Sequence, residues 1–178
     1  ILTHDLYDEN DIILKSILSA GLNNGEQDPV KIVYYPIYLS GADGLLNLDY
    51  YEAMQGSHLG IFPSYYEPWG YTPMECIAMG IPAVTSDLSG FGSYVKQTIP
   101  NFTDKGIYIV DRHNRSFWDS AQQLTEIMYK VVNMSRRERV EQRNRAESQS
   151  TQFDWKILIE NYQKAYKFAI NDFESHLK

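Results

Sequence analysis

Short apolar runs alternate with amphipathic stretches along the first part of the chain, the pattern of a parallel α/β sheet. Residues 31–37 are rich in β-branched and aromatic side chains and read as a buried strand. Segments 59–62, 82–85 and 107–110 read as three more. Between them the spacing predicts helices around 10–22, 49–55, 73–79 and 91–98. Such alternation predicts an α/β fold with a doubly wound parallel sheet, whose ligands sit at the carboxyl ends of the strands. After Asp111 the pattern changes to long helices. Trp118, Ala121, Leu124, Met128 and Val131 recur at three- and four-residue steps and read as one apolar face. A charged stretch follows, and then a last helix with Trp155, Leu158, Ile159, Tyr162, Tyr166 and Ala169 on one stripe. The expected divisions are a sheet domain over 1–134, a charged helix over 135–150 and a terminal helix over 151–178. The terminal stripe needs a partner, for which a domain preceding this chain is the candidate.

Composition narrows the class. With 43% hydrophobic and 22% charged residues, the 178 residues suit one domain with a real core. A net charge of -7 argues against nucleic acid as the main partner, so an anionic ligand needs a local basic patch. No apolar run reaches the length of a membrane span, and no membrane partner is expected. The single cysteine, Cys76, excludes an intrachain disulfide and fits a reducing, cytoplasmic setting. The chain opens on Ile1 rather than Met and reads as a fragment of a longer protein.

The most informative stretch runs from Pro63 to Glu75, between an expected strand and an expected helix. Thr72 reads as an N-cap, Pro73 as the first helical residue and Glu75 as the partner completing a capping box. The free N–H groups and dipole of such a helix start welcome a phosphate, and Gly70 lets a ligand approach the backbone. On spacing alone, Glu75 is more simply a capping carboxylate, Trp69 a ring packed over the loop and Glu67 a solvated acid. Physical chemistry leaves that choice open.

The pattern E-P-x-G-x-T-P-x-E, from Glu67 to Glu75, resembles the signature of retaining glycosyltransferases built from two Rossmann-like domains, the GT-B architecture. Its fuller form, Tyr65-Tyr-Glu67-Pro-Trp-Gly-Tyr-Thr-Pro-Met-Glu75, is similar to the animal and fungal glycogen synthase family. The similarity continues through Leu48-Asp-Tyr50, His58-Leu-Gly60, Leu88-Ser-Gly-Phe-Gly92, Gly106 to Asp111, Arg136-Arg137, Gln142-Arg-Asn-Arg145 and Asp154-Trp155. It implies the C-terminal, nucleotide-binding half of an enzyme that transfers glucose from UDP-glucose to the 4-hydroxyl of a glycogen chain end, forming α-1,4 links with retention. By the same resemblance Glu67 contacts the donor glucose and is tied to catalysis, and Trp69 and Gly70 contact the sugar nucleotide. Thr72 lies where the backbone meets the diphosphate, Glu75 holds the ribose hydroxyls and Tyr50 stacks on uracil. The expected partners are UDP-glucose, glycogen, glucose 6-phosphate, further copies in a homo-oligomer and a glycogen-priming protein.

The chemistry fits such a loop. Departure of UDP builds negative charge on the diphosphate, for a helix N-terminus to meet, and positive charge at the anomeric carbon, for a carboxylate to meet. Retention through a covalent intermediate and same-face attack within an ion pair both remain open. Neither an Asp-x-Asp pattern nor a His/Cys cluster occurs in the sequence, so neither a metal nor a cofactor is expected.

The charged stretch carries a second candidate site. At about 100° per residue, Arg136, Arg139 and Arg143 share an arc of about 60°. Glu141 stands at four-residue spacing to both Arg137 and Arg145 on another face. Like charges so placed are unfavourable unless an anion or a distant carboxylate meets them. The resemblance implies that this helix is the allosteric site for glucose 6-phosphate, with Arg139 and Arg143 on the phosphate and His58 as a further contact. Ser148 departs from the family, which usually has another arginine there.

Overall fold

The computed structural model describes residues 1–8 and 10–176, so the last two residues of the expected terminal segment lie outside it. The chain forms two compact units, 1–53 and 54–178.

In the first unit, helix α1 (Ile12–Ser19) starts at Asp11, whose carboxylate accepts the Leu14 N–H at 2.7 Å. Helix α2 (Tyr50–Gln55) closes the unit and runs on into the second. The strand expected over 31–37 does not form. Its one pairing is a bridge of Tyr34 with Leu2, made by Tyr34 N–H to the Ile1 carbonyl and Thr3 N–H to the Tyr34 carbonyl. Val33 is 72% exposed, so the segment is not buried either. β-branched residues favour extended backbone, but a strand needs a hydrogen-bonding neighbour along its length, and here the neighbour spans one residue.

The second unit is built on a parallel sheet in the order β1 (Gly60–Ile61), β2 (Ala83–Ser86), β3 (Ile107–Val110). Gly60 is opposite Ala83, Ala83 opposite Ile107 and Ser86 opposite Val110. All of β2 is buried because both faces of the sheet are covered, which accounts for its uninterrupted run of non-charged residues. Ala83 and Ile107 face a core with Cys76, Ile77, Phe91, Val95 and Phe153. Val84, Tyr108 and Val110, one residue on, face Val131 on the opposite side. The first core is closed by α3 (Tyr71–Ala78), α4 (Gly90–Thr98) and α6 (Arg136–Ser150), the second by α5 (Phe117–Val132). Burial pushes the Cys76 thiol up to about 11, with Glu75 a secondary cause, so it stays neutral at pH 7.

Two helical faces differ from expectation. On α5 it is Leu124, Ile127 and Val131 that meet the sheet, while Trp118 is 78% exposed and Met128 also lies outside. Repeated three-residue steps slip backwards around a 3.6-residue helix, so the expected stripe spreads over about 140° and only part of it reaches the core. Helix α7 (Trp155–His176) keeps most of its apolar stripe exposed, Trp155, Tyr162 and Tyr166 included. The charged helix forms as expected, with Ser135 and Glu138 making a capping box, and it packs on α3 within the second unit.

Candidate functional site

The loop from Phe62 to Gly70 leaves the carboxyl end of β1 and feeds α3. Helix α3 begins earlier than the spacing predicts. Its N-cap is Gly70, without a side-chain cap bond, so Thr72 is the second helical residue and the Thr72–Glu75 capping box does not form. Gly70 takes the N-cap because its φ of 115° lies in the left-handed region, which a side chain resists. Pro73 then falls in the first turn, where a missing N–H costs no helical bond. The Thr72 N–H remains among the orphan donors of that turn.

The loop is pinned against α4. Ser89 caps α4 by accepting the Gly92 N–H at 2.9 Å. Gly90 N–H donates to the Glu67 carbonyl at 3.0 Å and Phe91 N–H to the Trp69 carbonyl at 2.7 Å. A Cβ on Gly90 would collide with the Pro68 carbonyl oxygen, and one on Gly92 with the Ser86 carbonyl oxygen. Gly90→Ala is therefore expected to push the Glu67 loop off α4 at a cost of about 1–3 kcal/mol. A melting temperature unchanged by this substitution would contradict the contact.

Glu67 and Trp69 line a cavity of about 730 Å³ together with Tyr94 and Phe153, and with Trp155, Leu158 and Tyr162 from α7. The Trp69 ring packs on Phe91 and Tyr94 at centroid distances of 5.9 and 5.6 Å, and its indole N–H donates to the Met74 sulfur at 3.5 Å. Gly70, Thr72 and Glu75 belong to the same loop and helix but do not line the cavity. Tyr50 lies on α2 in the other unit, packed edge-on against Tyr51. It lines a separate, mostly apolar hollow of about 560 Å³ with Val33, Tyr35 and Leu46. Tyr94, Phe153 and Gly90 are the residues here that sequence reasoning missed. The Ser-Gly-Phe-Gly run was the only signal for Gly90, and none marked the other two.

On α6, Arg137 pairs with Glu141 at 2.8 Å as the spacing predicts. Arg145 does not pair with Glu141; its Nε donates to the Asp104 carbonyl at 2.8 Å, because α6 packs on the turn over Phe102–Lys105. Arg139 donates to the Met134 carbonyl at 2.8 Å and Arg143 to the Ser57 carbonyl at 3.2 Å. No carboxylate lies within ion-pair distance of Arg136, Arg139 or Arg143 among the described residues. The Arg143 bond brings the exposed segment of Ser57 and His58 to this face of α6. Among the described residues there is no cluster of three His, Cys, Asp or Glu side chains arranged to hold a metal ion.

A family model described as glycogen synthase matches residues 1–176. The chain is 49% identical over 171 residues to the glycogen [starch] synthase of Neurospora crassa. It is 50% identical over 172 residues to the liver glycogen [starch] synthase of Mus musculus and 45% identical over 173 to isoform 2 of Saccharomyces cerevisiae. Each match covers 96% of this chain but 24% of the relative, so the chain spans about a quarter of the length of these proteins. An α/β unit with a three-stranded parallel sheet and long terminal helices, half identical to these relatives almost throughout, belongs to the glycogen synthase family.

Proposed function

We propose that this chain is the C-terminal, donor-binding part of a cytoplasmic glycogen synthase, a retaining GT-B glucosyltransferase whose other Rossmann-like domain lies outside these residues. The whole enzyme transfers glucose from UDP-glucose to the 4-hydroxyl of a glycogen chain end. It works as a homo-oligomer on chains begun by a glycogen-priming protein. Residues 1–134 form the UDP-glucose-binding domain, 135–150 the regulatory helix and 151–178 a helix whose exposed stripe packs toward the missing domain.

The observation that carries this reading is the loop from β1 to α3, which places Glu67 and Trp69 on one cavity at the carboxyl end of a parallel sheet. Glu67 faces the anomeric carbon of the donor. Trp69 and Gly70 shape the sugar pocket, and the N–H of Thr72 meets the diphosphate at the start of α3. Glu75 holds the ribose hydroxyls and Tyr50 stacks on uracil. Arg139, Arg143 and His58 form the glucose 6-phosphate site, a reading supported by two guanidinium groups that, among the described residues, donate only to main-chain carbonyls.

Because the acceptor-binding half is outside it, the isolated chain is expected to be inactive. Incorporation of labelled glucose from UDP-glucose into glycogen by this chain alone would contradict the division of labour. The test of the main reading is the pair of glutamate variants in the full-length enzyme argued in the Discussion.

A further inference from the structure

Residues 63–66 lead from Phe62, just past the end of β1, to Glu67. Among the described residues their one backbone–backbone bond is from the Ser64 N–H to the Phe62 carbonyl. Side chains do the rest. Ser86 Oγ donates to the Ser64 carbonyl at 2.6 Å, and the Arg112 guanidinium donates to the Pro63 carbonyl. The same guanidinium lies over the Tyr65 ring, its central carbon 3.5 Å from the ring centroid. Arg112 is itself anchored: its N–H and that of His113 donate to the Asp87 carboxylate at 2.7 and 3.2 Å. Asp87 N–H in turn donates to the Val110 carbonyl at 3.2 Å. The guanidinium has no carboxylate within ion-pair distance among the described residues. Arg112 thus joins the loops that follow all three strands, and it grips the span that ends at Glu67.

We propose that Arg112 is a positioning residue: by clamping Pro63 and Tyr65 it sets where the Glu67 carboxylate stands during glucosyl transfer. This rests on the reading of Glu67 as the donor-site carboxylate. An arginine suits the task because a planar guanidinium stacks on a ring and donates from its edge at the same time. A lysine offers a point charge and can satisfy one of those contacts at a time.

The test uses the full-length enzyme. Arg112→Ala should lower kcat by about ten- to a hundredfold, with KM for UDP-glucose within about threefold of the parent, as expected for misplacement of a group that acts in the transition state. Arg112→Lys should recover part of the loss. Tyr65→Phe, which keeps the ring, should retain turnover, whereas Tyr65→Leu should lose it, and adding Arg112→Ala to Tyr65→Leu should cost little more. Losses that multiply in the double variant, or an Arg112→Ala enzyme within about twofold of parental kcat while Glu67→Gln is impaired, would overturn the clamp. Full turnover in Glu67→Gln would instead remove the donor-site reading, and the positioning role with it. Should Arg112→Ala fail to fold in a thermal melt, Arg112→Lys and Tyr65→Leu decide by the same kcat and KM criteria.

Discussion

Glu67→Ala in the full-length enzyme is expected to lower kcat by about a hundredfold or more while leaving UDP binding nearly unchanged. The main chain of Glu67 is held by the Gly90 N–H at 3.0 Å, and the residue lines the cavity beside α3. On the proposed reading, a carboxylate at that place interacts most strongly when positive charge develops at the anomeric carbon, so its loss falls on the transition state. Glu75→Gln is expected to act on the ground state. A charge-assisted bond to a ribose hydroxyl contributes about 1.5–3 kcal/mol, so UDP should bind about ten- to a hundredfold more weakly, with kcat at saturation largely kept. Since α3 starts at Tyr71 with Gly70 as its cap, Glu75 is the fifth helical residue and its change should not loosen the helix start. Steady-state kinetics with titration of UDP separates the two. Identical patterns for both variants would remove the division of roles.

Joint replacement of Arg139 and Arg143 by alanine is expected to abolish activation by glucose 6-phosphate and to leave basal turnover largely in place. The two guanidinium groups lie one turn apart on α6 and, among the described residues, donate only to the Met134 and Ser57 carbonyls, so their charge is available to an anion. Each charge-assisted bond to a phosphate contributes about 1.5–3 kcal/mol, enough for two to account for the binding of a small phosphorylated sugar. Arg137 is engaged by Glu141 at 2.8 Å and Arg145 by the Asp104 carbonyl at 2.8 Å. Replacing that second pair should therefore reduce activation less. Arg145→Ala also removes a tie between α6 and the Phe102–Lys105 turn, so a thermal melt must accompany both double variants. Unchanged activation in the Arg139/Arg143 variant would return α6 to a solvated charged face.

Local chemistry made much of this molecule legible. The runs that became β1, β2 and β3 lie within or beside the expected segments, and for β2 and β3 the reason is that a strand covered on both faces needs a run without charged residues. Ser135 and Glu138 announce the start of α6, a contact three residues apart that needs no tertiary partner. The same logic misplaced the start of α3. Thr72 and Glu75 have capping chemistry, but the left-handed backbone of Gly70, packed near Phe91 and Glu67, starts the helix before them.

The residue order from Tyr65 to Glu75, with the matching segments on either side of it, carried the family resemblance and every candidate donor residue except Tyr50, because chemistry at a helix start depends on neighbours a few positions apart. Which of those residues meet one cavity depended on the fold. Glu67 and Trp69 reach it, joined by Tyr94, Phe153 and Trp155 from distant segments, while Tyr50 lies in the other compact unit. The grip of Arg112 on Pro63 and Tyr65 likewise joins positions about fifty residues apart. Periodicity reports how each segment divides its own apolar and polar sides. It carries nothing about which loops meet at the end of a sheet, because that follows from strand order and register and from close approaches such as that of Gly90 to Pro68.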